Sequence, residues 1–69
     1  MIIILNGTDQ EVADHTTIAD VVARTRPEDT TGRGIAVAVD KAVVPRARWS
    51  DSVLADGARV EIVSAVQGG

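Results

Sequence analysis

The sequence contains no cysteine, phenylalanine or tyrosine, and it has one tryptophan, one histidine and two prolines. Without cysteine the chain forms no disulfide and offers no thiolate, either as a metal ligand or as a nucleophile. The single histidine, His15, does not supply a histidine cluster. The core must be aliphatic, because Trp49 is the only aromatic side chain. Such a core leaves little room for a ligand pocket of roughly 300 Å³ or more, which argues against a self-sufficient enzyme.

Long apolar runs are also absent. The longest extends from Met1 to Leu5 and is too short for a membrane span or a signal-peptide core. The formal net charge of −3 disfavours nucleic acid as a main partner, because phosphate binding needs a basic surface. With 69 residues the chain has room for one hydrophobic core. We therefore expect a single domain over residues 1–69, cytoplasmic, with no membrane and no nucleic acid as partner.

Local patterns predict the elements of this domain. Asn6-Gly7 after a β-branched run indicates a hairpin, and Thr17 with Asp20 resembles a capping box before apolar residues at helical spacing. Arg26 precedes Pro27, which discourages the helix from continuing. The predicted order is a strand over residues 2–5, a strand over residues 10–14, a helix over residues 18–25, strands over residues 34–40 and 42–44, an irregular segment over residues 46–55 anchored by Trp49 and Leu54, and a last strand over residues 59–63.

This order of elements indicates an α+β fold. One helix cannot cover two sheets, so the simplest architecture is a single mixed sheet with the helix across one face. The first and last strands then lie parallel and adjacent in the middle of the sheet, which is the β-grasp arrangement. Residues 64–69 follow the last strand as a flexible tail that ends in two glycines.

No internal segment carries a motif for catalysis. Asp9, Glu11 and Asp14 are acidic neighbours, but nothing builds the cleft that would separate two carboxyl pKa values, so a solvated face is expected. His15 falls in a loop just before the helix. The Gly32-Arg33-Gly34 segment lacks the Lys-Ser/Thr that completes a phosphate-binding loop. We therefore expect no catalytic residue and no metal site.

The C-terminal segment Gln67-Gly68-Gly69 is the distinctive feature. A glycine pair at a domain end is compatible with simple fraying. A glycine tail is also narrow enough to thread a channel and to present its carboxylate to the active site of another protein. Its position directly after a central β-grasp strand favours the second interpretation.

The whole chain resembles the ubiquitin-like sulfur carrier proteins, most closely the ThiS group of thiamine biosynthesis. The most specific parts are Val43-Val44-Pro45-Arg46 with Trp49 and the Gly-Gly end. The rest of the resemblance lies in Asn6-Gly7, residues 17–20, residues 34–39, Leu54, Asp56-Gly57, residues 60–63 and residues 65–67. Asp40-Lys41 and the long loop before Gly34 depart from the family pattern, and both are surface changes.

The resemblance implies a carrier and not an enzyme. In such proteins an E1-like enzyme of the ThiF type uses ATP to adenylate the C-terminal glycine, and sulfur from a donor then replaces AMP. The resulting thiocarboxylate supplies thiazole synthase of the ThiG type. By this resemblance Gly69 is the covalent carrier and Gly68 its unhindered spacer. No cofactor is expected on this chain, since ATP and Mg²⁺ would belong to the activating partner.

Two alternatives stay open at this point. The same chemistry serves other products, as in a MoaD-type sulfur carrier for molybdopterin synthesis, although the Val-Val-Pro-Arg-x-x-Trp stretch favours the thiazole pathway. A ubiquitin-like modifier joined to lysine amines, or a plain interaction module, is the other alternative, and it is disfavoured because the glycines are already terminal. The sequence predicts the docking surface as the sheet face without the helix. Its candidate partner-binding residues are Ile2, Ile4, Val63 and Val66, which an exposed aliphatic patch beside the tail would contain.

Overall fold

The structure is a computed structural model, and it describes residues 1–27 and 34–64. Its elements are β1 (Ile2–Leu5), β2 (Thr8–Glu11), α1 (Ile18–Thr25), β3 (Ile35–Val39), β4 (Ala42–Val44), a 3₁₀ helix (Arg46–Asp51) and β5 (Arg59–Ser64). The five strands form one mixed sheet in the order β2-β1-β5-β3-β4. β1 and β5 are parallel in its centre, and all other neighbours are antiparallel. The predicted single mixed sheet of the α+β class is confirmed.

Helix α1 begins and ends where the sequence predicts. The Thr17 hydroxyl accepts from the Asp20 backbone N–H at 3.1 Å, and the Thr17 N–H donates to the Asp20 carboxylate at 3.0 Å. This capping box satisfies two N–H groups that would otherwise lack partners. Arg26 closes the helix by donating its N–H to the Val22 carbonyl at 2.8 Å, and Pro27 follows. The helix buries Ile18, Val21 and Val22.

One aliphatic core lies between α1 and the sheet. Its least exposed side chains come from the central strands and the helix start, and they are Ile3, Ile18, Val37 and Val60. Ile62 joins them, and Leu5 packs at the margin. Trp49 and Leu54 are each 5% exposed, which confirms both as anchors of the segment after β4. The Trp49 indole N–H donates to the Val44 carbonyl at 2.9 Å, so the one polar group of this large ring has a hydrogen-bond partner.

Four assignments differ from the prediction, and one of them is β3, which covers Ile35–Val39 where a strand over residues 34–40 was expected. β2 begins at Thr8 and ends at Glu11, not at residues 10–14, because the two-residue turn pairs Leu5 directly with Thr8. Asn6 and Gly7 have φ values of 49° and 83°, as a type I′ hairpin turn requires. The segment after Pro45 contains the 3₁₀ helix where an irregular chain was expected. Ser64, assigned to the tail from the sequence, is the last residue of β5 and pairs with Ile35.

Candidate functional site

The central strand β5 is the element that leads to the C-terminal residues. It pairs with β3 from Val60 to Ser64 and with β1 at Arg59 and Val60. Gly69, the predicted covalent carrier, and Gly68, its predicted spacer, lie outside the described residues, as does Val66. The part of the site that the structure describes is therefore the base of the tail, at the C-terminal end of β5.

A side chain from the first hairpin holds β5 near this end. The Asn6 Oδ1 accepts from the Ile62 N–H at 2.9 Å, and the Asn6 Nδ2 donates to the Ile62 carbonyl at 3.2 Å. The Asn6 backbone N–H donates to the Val60 carbonyl at 2.9 Å. One residue therefore makes three hydrogen bonds to the backbone of β5.

The helix contributes a further contact at the same end. The Arg26 Nη1 donates to the Ser64 hydroxyl at 3.0 Å, which links the C-cap of α1 to the last residue of β5. Both side chains are at the surface, so this hydrogen bond is a weak one in water. The contact joins the last described residue of β5 to the end of the helix.

The sheet face opposite α1 carries an aliphatic depression beside the end of β5. Val63 is 53% exposed and Val43 is 75% exposed. Between them lie the small side chains of Ala36 and Ala38, paired with Val63 and Glu61 of β5. The depression has a volume of about 240 Å³ and is lined by Ala36, Val37, Ala38, Val43, Glu61 and Val63. We call the four outward-facing aliphatic residues Ala36, Ala38, Val43 and Val63 the alanine seat.

The predicted patch of Ile2, Ile4 and Val63 is not contiguous. Ile4 pairs with Arg59, and Val63 lies four residues further along β5, or about 13 Å at ~3.3 Å per residue. Ile2 lies further away still, where its carbonyl accepts from the Gly57 N–H at 2.7 Å. Val63 is exposed as predicted, but its outward neighbours come from β3 and β4. Ile2, 41% exposed, and the half-buried Ile4 form a separate apolar strip.

Acidic side chains border the apolar strip on β1. Asp9 lies opposite Ile4 and Glu11 lies opposite Ile2 in the antiparallel register. Glu61 lies on the same face, beside the alanine seat, and Arg59 supplies a positive charge there. This face therefore combines aliphatic and mainly acidic groups. It is complementary to a partner surface on which basic residues surround a protruding apolar side chain.

The residues dismissed from the sequence occupy surface positions. His15 and the carboxylates Asp9, Glu11 and Asp14 are exposed, and Asp14 lies 3.7 Å from the Met1 ammonium. The Ser52 hydroxyl donates to the Arg48 carbonyl at 2.7 Å. Within residues 1–27 and 34–64, no group of three carboxylate or histidine side chains is placed to hold a metal ion. Over the same ranges no helix has the length and apolar character needed to cross a membrane.

Other open grooves lie elsewhere on the described part of the surface, and two of them flank the core. One, of about 300 Å³, lies between α1 and the β1–β2 hairpin and includes Gln10, Arg24 and Thr25 in its lining. The other, of about 320 Å³, lies beside Val53 and the β3–β4 turn. Both are at the lower limit for ligand pockets.

The role of Asn6 at β5 was not anticipated from the sequence. Asn6-Gly7 was interpreted only as a turn signal, and the turn geometry confirms that interpretation. The second role depends on which strand lies beside β1, and that information is tertiary. The Arg26–Ser64 contact likewise joins residues 38 positions apart. The one sequence signal for either contact is a polar residue at the end of a predicted central strand, Asn6 after β1 and Ser64 after residues 59–63.

Comparisons with known proteins agree with this geometry. The chain matches no curated protein. It is similar to the crystal structure of a thiamine biosynthesis protein (ThiS) from Geobacter metallireducens, with a TM-score of 0.81, 20% identity and full coverage of both chains. A solution structure of a thiamine biosynthesis protein from the same organism gives a TM-score of 0.76 at 20% identity, covering 100% of this chain and 88% of the other. At such identity these likenesses establish the shared β-grasp fold.

A family model provides the closer assignment. The model of the ThiS family matches residues 3–69, a span that includes all of β1 except Ile2, the alanine seat, the whole of β5 and the Gly-Gly end. The resemblance found in the sequence is thereby confirmed, and the chain belongs to the ThiS family.

Proposed function

We propose that this chain is a sulfur carrier protein of thiamine biosynthesis and that Gly69 bears the sulfur as a thiocarboxylate. The observation that carries the proposal is the family match through Gly69. It is supported by the position of β5, a central strand that is held on both edges and immediately precedes the C-terminal residues. The chain is then the substrate of a partner enzyme and has no catalytic residue of its own.

The proposed chemistry has two steps on Gly69. A carboxylate is a poor electrophile, so a ThiF-type adenylating enzyme first activates it with ATP and Mg²⁺ bound on that enzyme. A carboxylate oxygen of Gly69 attacks the α-phosphorus of ATP, and pyrophosphate leaves. Sulfide supplied by the donor then attacks the acyl carbon, the C–S bond forms as the C–O bond to AMP breaks, and AMP leaves as a good leaving group. The resulting thiocarboxylate passes its sulfur to a ThiG-type thiazole synthase. Since the first step consumes ATP, we place the reaction in the cytoplasm.

Glycine suits both terminal positions for a steric reason. Gly68 and Gly69 have no side chains, so the segment can enter a narrow channel. A β-branched side chain would restrict the backbone and shield the neighbouring acyl carbon from attack. Sulfur held at this terminus is kept from free diffusion until the acceptor enzyme binds.

We assign the docking of the activating enzyme to the alanine seat, with Val66 as a further contact and Ile2 and Ile4 as an outlying strip. The seat lies beside the end of β5, so a partner seated on it has the chain's last residues within reach. Two exposed valines around two alanines form a hole for one protruding aliphatic or aromatic side chain. Apolar concavities of this kind are typical centres of protein interfaces.

Intact-mass measurement tests the proposal. The chain is incubated with an E1-like adenylating enzyme from the same genome, ATP, Mg²⁺ and a sulfur source. We expect a gain equal to the mass difference between one sulfur and one oxygen atom. The matched control lacks Gly69 and should keep its mass. A wild-type chain that shows neither adenylate nor thiocarboxylate refutes the proposal. A thiocarboxylate that thiazole synthase fails to consume would instead indicate a MoaD-type carrier.

A further inference from the structure

The Asn6 side chain makes the hydrogen bonds to β5 that the backbone of β1 would make if that strand continued past Leu5. β1 ends at Leu5, and Asn6 turns into the hairpin with a left-handed φ of 49°. Its N–H still donates to the Val60 carbonyl at 2.9 Å. In a parallel ladder the carbonyl of the same residue would next accept from the N–H two positions along, which is that of Ile62. Asn6 instead supplies its side-chain Oδ1 at 2.9 Å for that bond.

The amide nitrogen of the same side chain completes the replacement. The Asn6 Nδ2 donates to the Ile62 carbonyl at 3.2 Å. If β1 were longer, a backbone N–H of that strand would donate to this carbonyl instead. One carboxamide thus supplies both an acceptor and a donor. The parallel ladder therefore continues to Ile62, beyond the last residue of β1.

The rest of the strand end is held by other elements. On its other edge β5 pairs with β3 as far as Ser64, which lies opposite Ile35. On the helix side the Arg26 guanidinium donates to the Ser64 hydroxyl at 3.0 Å. Asn6 is therefore the β1-side part of a clamp on the last residues of β5.

We infer that Asn6 is a positioning residue for the carrier terminus, an inference that rests on the proposed function. The clamp fixes the point at which the chain leaves the sheet. From Ser64 the five residues to Gly69 span at most about 18 Å, at ~3.3–3.6 Å each. A strand end that frays changes both the starting point and the direction of this short arm. The partner must then restore backbone order each time the terminus enters its active site, at a cost of about tenfold per residue ordered.

Asn6→Gly isolates the side chain. Glycine adopts the left-handed φ of this position readily, so the hairpin turn is retained while both carboxamide bonds are lost. Asp40→Gly is the matched control. Asp40 also has a left-handed φ, of 50°, and its carboxylate accepts from the Arg59 N–H at 3.0 Å. That bond holds the opposite end of β5, far from the tail.

Steady-state adenylation with the purified E1-like enzyme, ATP and Mg²⁺ separates docking from terminus placement. Asn6→Gly should lower kcat about tenfold and leave KM within about twofold, because the alanine seat still docks. Asp40→Gly should change neither parameter by more than about twofold. By NMR, amide exchange at Ile62 should accelerate about tenfold in Asn6→Gly alone, since that N–H loses its acceptor.

The outcomes distinguish this inference from the proposed function. An inactive wild-type chain overturns the proposed function, and the positioning role with it. An active wild-type chain with an Asn6→Gly variant of unchanged kcat overturns the positioning role alone. An equal loss of kcat in Asp40→Gly would overturn it as well, because the loss would then reflect the general stability of β5.

Discussion

Replacing Val22 by aspartate tests the docking of helix α1 on the sheet. Val22 is 5% exposed and lies on the buried face of the helix. The variant loses the burial of a valine side chain, about 1.5–3 kcal/mol. It also places a carboxyl group in an apolar core, where burial raises the pKa of that group well above its usual range, by about three pH units. At pH 7 keeping that group protonated costs about 4 kcal/mol.

The summed loss is about 5–7 kcal/mol, whereas a chain of 69 residues has a total stability of about 3–10 kcal/mol. We therefore expect Val22→Asp to be largely unfolded at pH 7. The sign of the pH dependence follows from the raised pKa. The folded state binds the extra proton, so stability is retained below the unfolded carboxyl pKa and lost as the pH rises above it. Between pH 7 and pH 5 the variant should regain about 2 kcal/mol.

Urea unfolding followed by the fluorescence of Trp49 measures these values. Val22→Asn is the control for shape and polarity, and its stability relative to wild type should be nearly independent of pH. Ala23→Asp places the same carboxyl on the exposed face of α1 and should change stability by no more than about 0.5 kcal/mol. A cooperatively folded Val22→Asp variant at pH 7, or one with the pH profile of Val22→Asn, would refute the reasoning.

Three further predictions concern the tail, the docking face and the core. Gly68→Val should slow adenylation without changing the melting temperature, and His15→Ala should leave thiocarboxylate formation unchanged; the reverse pattern by intact mass would contradict the carrier assignment. Val63→Glu should weaken binding of the adenylating enzyme about tenfold or more by calorimetry, with little change in melting temperature, because the side chain is exposed; unchanged binding would remove the alanine seat from the interface. Trp49→Ala should cost about 3–5 kcal/mol by urea unfolding followed by circular dichroism, and a smaller loss would mean that the ring is not packed in the core.

The sequence predicts the features that local chemistry determines. The capping box at Thr17, the turn at Asn6-Gly7 and the alternation in β5 each specify their own geometry. The bounds predicted for β2 are wrong because its residues, Thr8–Glu11, are polar and give little strand signal. Only the turn sets their register. The 3₁₀ helix carries Trp49 into the core, and this burial is a tertiary contact that the local sequence does not specify.

The sequence predicts which face of the sheet carries the exposed aliphatic side chains, but it does not predict which residues lie next to one another there. Period-2 alternation correctly gives the side of the sheet to which Ile4 and Val63 belong. It does not give the register between β1 and β5, because parallel pairing joins strands more than 50 residues apart, as Asn6 and Ile62 are. That register separates the two side chains and brings Ala36 and Ala38 beside Val63 instead.

The last strand of the described chain to be synthesised is also the strand at the middle of the sheet. Without β5, the β1–β2 and β3–β4 hairpins have no strand pairing that joins them. A nascent chain therefore cannot complete its sheet until β5 has emerged from the ribosome. Products truncated before β5 would lack Val63 of the alanine seat as well as the C-terminal glycines, and their open strand edges would favour aggregation. Under the proposed function, this topology would make recognition conditional on a complete sheet, so that truncated chains would not compete for the activating enzyme.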